Sequence, residues 1–234
     1  MILELDIGNT RVKWRTRDAE SVLASGHCDR STPDWPGLLP QQGLKQVRVA
    51  NVGGPAAAER LTAWAQTRWG LVPGYACSTV ALGSVVNGYR EPERLGVDRW
   101  LALLAAWQEL HAGAILVSAG TALTIDVLQD NGQHGGGYIV PGLRLMRDAL
   151  IAGTSGVRPE IDSVTSLAPG HSTTEAVLQG CTAMAVALIE KARAGVAIPV
   201  VLSGGDADSL APWLTGPVLQ RPDLVLDGLG LALP

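Results

Sequence analysis

MILELDIGNT, residues 1–10, sets a short run of strand formers, Ile2 to Ile7, against a turn signal, Gly8-Asn9-Thr10. Val12–Thr16 supplies a second run, so the opening reads as a hairpin closed by a glycine turn, and a third strand around Ser21–His27 extends the sheet. An aspartate at the end of the first strand, Asp6, stands where it can serve a divalent metal. The glycine lets backbone N–H groups approach phosphate oxygens, and Asn9, Thr10 and Lys13 add donors. An ordinary turn, with Asp6 bonding its own backbone, fits the same spacing, so both readings stand at this point.

Downstream, Asp29–Gly43 is rich in Pro and Gly and reads as loop or broken helix; Val47–Val52 is a strand, and Gly53-Gly54-Pro55 opens a helix to about Trp69. Leu71–Cys77 resumes as strand, Val80–Gly96 has no sustained period, and Trp100–His111 is an apolar helix. Ala114–Ser118, Ala119-Gly120-Thr121 and Leu123–Leu128 then repeat the opening. LVSAGTALTIDVLQ set beside LELDIGNTRVKWRT shares the plan of strand, glycine turn with a threonine, and returning strand. The echo implies a duplicated unit about 110 residues apart, with halves 1–112 and 113–234 that would face each other across a cleft. Gly135-Gly136-Gly137 reads as a hairpin turn, Pro141-Gly142 leads into a helix to about Ala152, and Thr174–Arg193 is a long helix. Pro199–Leu202 is a strand, Ser203-Gly204-Gly205-Asp206 a turn, and the end of the chain alternates again.

Composition narrows the function classes. A chain of 234 residues that is 47% hydrophobic can bury a core without disulfides or a structural metal. A net charge of −4 with no basic block offers nothing to nucleic acid or an anionic membrane surface. Cys28, Cys77 and Cys181 are odd in number and far apart, which points to reduced thiols filling the core in a cytoplasmic protein. The four histidines show no metal-ligand spacing, and no apolar run approaches the length of a membrane span.

Three further segments can carry chemistry. Asn87-Gly88-Tyr89 leads through Pro92 to Leu95-Gly96-Val97-Asp98-Arg99 at the start of an apolar helix. Asp98 there can act as a base toward a hydroxyl and Arg99 can clamp an anion; equally, Asp98 can cap the helix while Arg99 is solvated. Ser118-Ala119-Gly120-Thr121, followed by Thr124 and Asp126, can present a hydroxyl and amides to phosphate, or can be a structural hairpin with Asp126 exposed. Leu202-Ser203-Gly204-Gly205-Asp206 allows a flat ligand or phosphate to pack closely, although Gly-Gly at such a junction is common.

These four elements, in this order, resemble the actin, hexokinase and sugar-kinase superfamily, and more narrowly type III pantothenate kinase. The resemblance rests on DIGNTRVK at 6–13, NGYREPERLGVDR at 87–99, SAGTALTID at 118–126, GGYIVPG at 136–142, STTEAVLQG at 172–180 and LSGGDA at 202–207. It implies an α/β fold of two duplicated ribonuclease-H-like, actin/hexokinase-type domains, with mixed sheets flanked by helices. It also implies phosphorylation of pantothenate by ATP, the first step of coenzyme A synthesis. By the same resemblance Asp6, Ile7, Gly8, Asn9, Thr10, Arg11, Val12 and Lys13 cradle ATP, Asp6 serves Mg²⁺, and Thr121 contacts ATP. Asp98 is the base, and Tyr89, Gly96, Val97, Asp98, Arg99 and Thr173 contact pantothenate. A homodimer and a monovalent cation, K⁺ or NH₄⁺, belong to the same pattern. Ser118 departs from it: the family places an aspartate there, tied to the cation, and a serine brings no charge. A regulatory protein that kept the clamp and lost the chemistry is the alternative of a different class, and a superfamily kinase or phosphatase acting on another metabolite is a third.

Overall fold

Ile2–Ile7 forms strand β1 because its alternate residues serve two faces. Leu3, Leu5 and Ile7 are fully buried in one apolar cluster, and Glu4 and Asp6 lie on the opposite face. In this computed structural model, which describes residues 1–19, 21–156, 164–195 and 197–234, β1 is the centre of the first sheet. β2 (Arg11–Arg17) pairs antiparallel with it and β3 (Val22–Asp29) antiparallel with β2. On the other side β4 (Gln46–Asn51) runs parallel to β1, and the two-residue β5 (Gly74–Tyr75) runs parallel to β4. Helix α1 (Pro55–Trp69) makes the crossover between them. It starts on Pro55, whose missing N–H costs nothing in a first turn, and ends on the left-handed Gly70. Its Ala57 and Leu61 complete the cluster around Leu3, Leu5 and Ile7. A small hairpin, β6 (Ala81–Leu82) and β7 (Val85–Val86), and a 3-10 turn at Pro92–Arg94 then lead into α2 (Val97–Leu110).

The second sheet repeats this plan strand for strand. β8 (Ala114–Ala119), β9 (Ala122–Leu128) and β10 (His134–Pro141) are antiparallel; β11 (Val200–Ser203) is parallel to β8, and β12 (Val218–Gln220) to β11. The two orders, β3-β2-β1-β4-β5 and β10-β9-β8-β11-β12, are the same. α3 (Leu143–Gly153), α4 (Thr173–Arg193) and the short α5 (Ala207–Leu210) belong to this unit. Ile115, Val117 and Ile125 pack there against Ala185 and Ile189 of α4. The chain is thus the expected α/β duplication of ribonuclease-H-like halves, each a mixed sheet with helices. Its two compact units are Met1–Glu109 with Asp223–Pro234, and Leu110–Pro222.

Asp223–Pro234 belongs to the first unit because α6 (Leu224–Ala232) packs on β1 and β4. The end of the chain, which reads as alternating again, is the strand β12 followed by this helix. Gly228 of α6 meets the backbone of Leu101 in α2 so closely that a Cβ would strike the Leu101 carbonyl, so packing decides the helix. α6 also buries the polar face of β1. Glu4, with no exposed surface, accepts Arg15 Nε at 2.6 Å and Arg48 at 3.2 Å, and Arg15 reaches Asp227 of α6 at 2.6 Å.

Three smaller expectations change. Only Gly74–Tyr75 of Leu71–Cys77 pairs as strand. Gly135, Gly136 and Gly137 lie within β10 at a bulge, and the turn sits before them, where Gln129 N–H bonds Gln133 O at 2.9 Å. Cys28 and Cys181 are buried, as core filling requires, but Cys77 is exposed; all three thiols are free.

Candidate active site

Glycine 8 donates its N–H to Arg11 O at 2.9 Å and so closes the turn between β1 and β2. Arg30, at the end of β3, pins that turn. Its backbone N–H bonds Thr10 O at 2.9 Å, its Nε bonds Asn9 O at 2.8 Å, and its guanidinium reaches Gly53 O at 2.6 Å. The glycine turn and the β4–α1 loop are thus tied by one side chain. Arg30 lay in a stretch read as loop, and no spacing rule singles it out. Asn9 and Thr10 open on a hollow of about 440 Å³, where Arg30 and Arg60 bring two positive charges against the one carboxylate of Asp29.

Asp6 pairs across the ladder with Lys13. Its carboxyl is pushed up to about 7, first by burial and then by the Asp98 carboxylate, with Lys13 pulling the other way. Asp6, Asp98 and Lys13 therefore share one electrostatic site within the first unit. Two carboxylates that feel each other's charge, with a single ammonium beside them, are compatible with a divalent cation. Among the described residues no group of three or more His, Cys, Asp or Glu stands ready to hold a metal. The donor set fits magnesium held by a carboxylate together with substrate phosphates. Lys13 also forms an ion pair with Asp223, the residue preceding α6, at 2.8 Å. Asp223 was not singled out from sequence, because its partner lies at the other end of the chain.

In the Asp98 segment the structural reading fails for Arg99 and holds only in modified form for Asp98. Asp98 is the second residue of α2, inside the helix, and its Oδ1 accepts the Arg99 backbone N–H at 2.9 Å. It does not occupy the cap position. Arg99 is only 5% exposed, donates to the Tyr89 hydroxyl at 2.6 Å and lies 5.4 Å from the centre of that ring; it is not solvated. Gly96 makes room for this arrangement, since a Cβ there would stand 2.7 Å from Asp98 Oδ1. Val97 is buried beneath. Asn87 is also buried and shapes the loop: it accepts Tyr89 N–H at 3.0 Å and donates to Thr79 O at 3.1 Å and Pro92 O at 3.0 Å.

In the second unit the corresponding turn joins β8 to β9, with Gly120 N–H on Ala122 O at 3.1 Å and exposed Thr121 at its tip. Gly142, before α3, donates to Thr121 O at 2.9 Å. Gly204 lies against Ala119 with φ at +94°, so the Gly-Gly junction serves close approach to this turn. Ser118 is half-buried and stands in register with Thr124 and Ser203, all neutral hydroxyls. Asp126 is not exposed, contrary to the structural reading of its hairpin: it is buried and bonds His134 Nε2 at 2.8 Å. Thr173 opens α4, is exposed, and follows the capping Ser172, whose hydroxyl accepts Glu175 N–H.

Comparison with known proteins bears on these features as a set. Residues 2–194 match the family model described as type III pantothenate kinase. A relative of that name from Chromohalobacter salexigens is 40% identical, covering 100% of this chain and 88% of its own. Another, from Nitrosococcus oceani, is 36% identical with coverages of 98% and 92%. Among solved structures, a protein from Campylobacter jejuni assigned to the Baf family of transcriptional activators superposes with a TM-score of 0.66 at 21% identity, covering 97% of this chain and 95% of its own. One from Sinorhizobium meliloti, assigned as a 2-dehydro-3-deoxygalactonokinase, gives 0.60 at 15%, with coverages of 99% and 98%. The structural likenesses carry the fold alone; the family model and the full-length relatives go further, and by them the chain belongs to the type III pantothenate kinase family.

Proposed function

We propose that this chain transfers the terminal phosphoryl group of ATP to the hydroxyl of pantothenate, giving 4′-phosphopantothenate, the first step of coenzyme A synthesis. The observation that carries the reading is the shared site of Asp6, Lys13 and Asp98 beside the Gly8 turn. Phosphoryl transfer asks a protein mainly for alignment and neutralisation of charge. Residues Asp6 to Lys13 are assigned to the ATP phosphates and Thr121 to a further ATP contact. Magnesium held by Asp6 would supply charge neutralisation on the phosphates.

Asp98 is assigned the proton of the attacking hydroxyl, and the hydroxyl oxygen takes the phosphoryl group as ADP leaves. Tyr89, Gly96, Val97, Arg99 and Thr173 are assigned to pantothenate. Arg99, already oriented by Tyr89, is suited to an anionic carboxylate. At the monovalent-cation position the Ser118 hydroxyl and its neutral neighbours favour weak binding of K⁺ or NH₄⁺. A homodimer is supported by exposed apolar residues in the second unit, Tyr138 and Ile139 on β10, Leu145 and Leu150 on α3, and Met184 on α4. Free thiols favour the cytoplasm, and no described helix is long and apolar enough to cross a membrane.

The regulatory alternative has no physical need for a buried, paired Arg99 or for two carboxylates facing a lysine, so the intact set supports the kinase. Purified protein with ATP, Mg²⁺ and pantothenate, and product detected by mass, tests the proposal. Turnover is expected, and Asp98→Asn should lower it by ~10²–10⁴-fold, the usual worth of a general base, with ATP affinity little changed. Absence of product under every cation condition would move the assignment to a regulator, and full turnover in Asp98→Asn would remove Asp98 as the base.

A further inference from the structure

We infer that Asp223 is a positioning residue for Lys13, holding its ammonium at the phosphate turn before nucleotide arrives. The inference rests on the proposed role of Lys13 as a phosphate contact. Lys13 Nζ and Asp223 Oδ1 are 2.8 Å apart. Asp223 occupies the N-cap place of α6, where an aspartate ordinarily accepts a backbone N–H of its own helix. Its side chain makes no such bond and turns to the lysine of β2 instead.

One helical turn later Asp227 takes Arg15 at 2.6 Å. Residues 13 and 15 share a face of β2, and residues 223 and 227 share a face of α6, so two rungs of similar geometry join helix to strand. The rungs differ in what surrounds them. The Arg15 side chain is 5% exposed and also bound by Glu4, which makes that rung part of the packed interior. The Lys13 and Asp223 side chains are 38% and 40% exposed, and an ion pair so open to water contributes little to stability.

Its placement is what distinguishes it. A lysine head on a four-carbon stem loses much rotamer freedom when fixed, and a carboxylate that already holds it reduces the ordering that ATP binding must supply. An ammonium has three donors, so a phosphate oxygen can engage one while Asp223 keeps another.

Initial rates with each substrate varied, and thermal midpoints, for Lys13→Gln, Asp223→Asn, Asp227→Asn and the double variant Lys13→Gln/Asp223→Asn test this. Asp223→Asn should raise KM for ATP roughly one-and-a-half- to fivefold, the range that corresponds to an exposed ion pair, and leave KM for pantothenate unchanged. Asp227→Asn should lower the midpoint without moving KM for ATP. In the Lys13→Gln background Asp223→Asn should add nothing. If Lys13→Gln leaves KM for ATP unchanged, the phosphate role of Lys13 itself fails. A raised KM in Lys13→Gln beside an unchanged or lowered one in Asp223→Asn overturns the positioning role alone. Equal increases from Asp223→Asn and Asp227→Asn also overturn it, since they would mean that docking of α6 is what matters.

Discussion

The Arg99 guanidinium donates to the Tyr89 hydroxyl at 2.6 Å while its carbon lies 5.4 Å from the centre of the same ring, so one tyrosine fixes both the direction and the stacking of the arginine. Two residues ten positions apart thereby act as one unit, the one proposed above to receive the carboxylate of pantothenate. A lysine head, a point charge without a planar fork, could not keep both contacts and still present two parallel donors to a carboxylate.

Tyr89→Phe keeps the ring and loses the hydroxyl. It should raise KM for pantothenate by roughly ten- to a hundredfold, the worth of one hydrogen bond to a charged group, and leave KM for ATP unchanged. Arg99→Lys should raise it further. Steady-state rates check both, and equal shifts in the two KM values would show that the substitutions had only loosened the fold.

Gly96→Ala would set a methyl 2.7 Å from Asp98 Oδ1, so the carboxylate must turn away or α2 must shift. Turnover should fall by at least about tenfold, because a misplacement on the order of 1 Å in a reacting group has effects of that size or larger. Circular dichroism should be unchanged. Wild-type turnover in this variant would mean that the carboxylate is free to move, and the geometric case for Asp98 would lapse.

The Asp6 carboxyl stands at about 7 in the fold against 3.8 for an ordinary aspartate, chiefly through burial and then through Asp98. The folded chain therefore binds this proton more tightly than the unfolded chain. The stability so gained is complete below the unfolded value and is lost as the pH rises through about 7. Thermal midpoints of ligand-free protein, measured from about pH 5 to about pH 8, should decline more steeply for wild type than for Asp6→Asn. Parallel profiles would rule out a raised Asp6.

Ser118, at the proposed monovalent-cation position, stands in register with Thr124 and Ser203, whose hydroxyls bring no charge. Activity should fall only in part when potassium is replaced by a large organic cation, and Ser118→Asp should strengthen the dependence on potassium. Collapse of wild-type activity on that exchange would contradict the assignment.

Much of this arrangement was legible from local pattern. The echo between residues 3–16 and 116–129 announced two sheets of the same order, and α1 is bounded by Pro55 and Gly70 as its punctuation implies. What escaped was decided by distant packing. Leu224–Ala232 carries Gly228 and Gly230, poor helix formers, and becomes a helix because Gly228 lets it approach α2. Asp98-Arg99 reads on paper as a cap beside a solvated charge, since nothing local reveals that Tyr89 folds over the arginine. One signal was available and missed: Asn131-Gly132, with Gly132 at φ +82°, marks the turn before β10 more directly than the glycines after it.

The return of α6 to the first sheet sets an order on how the protein can be made. Arg15 and Asp227 are 212 residues apart, and the whole of the second unit is synthesised between them. On the ribosome that second unit, a continuous stretch, can fold as it emerges. The sheet bearing the Gly8 turn must wait with Glu4, Arg15 and Arg48 uncovered until α6 arrives, so the strands that begin the chain are among the last to become native.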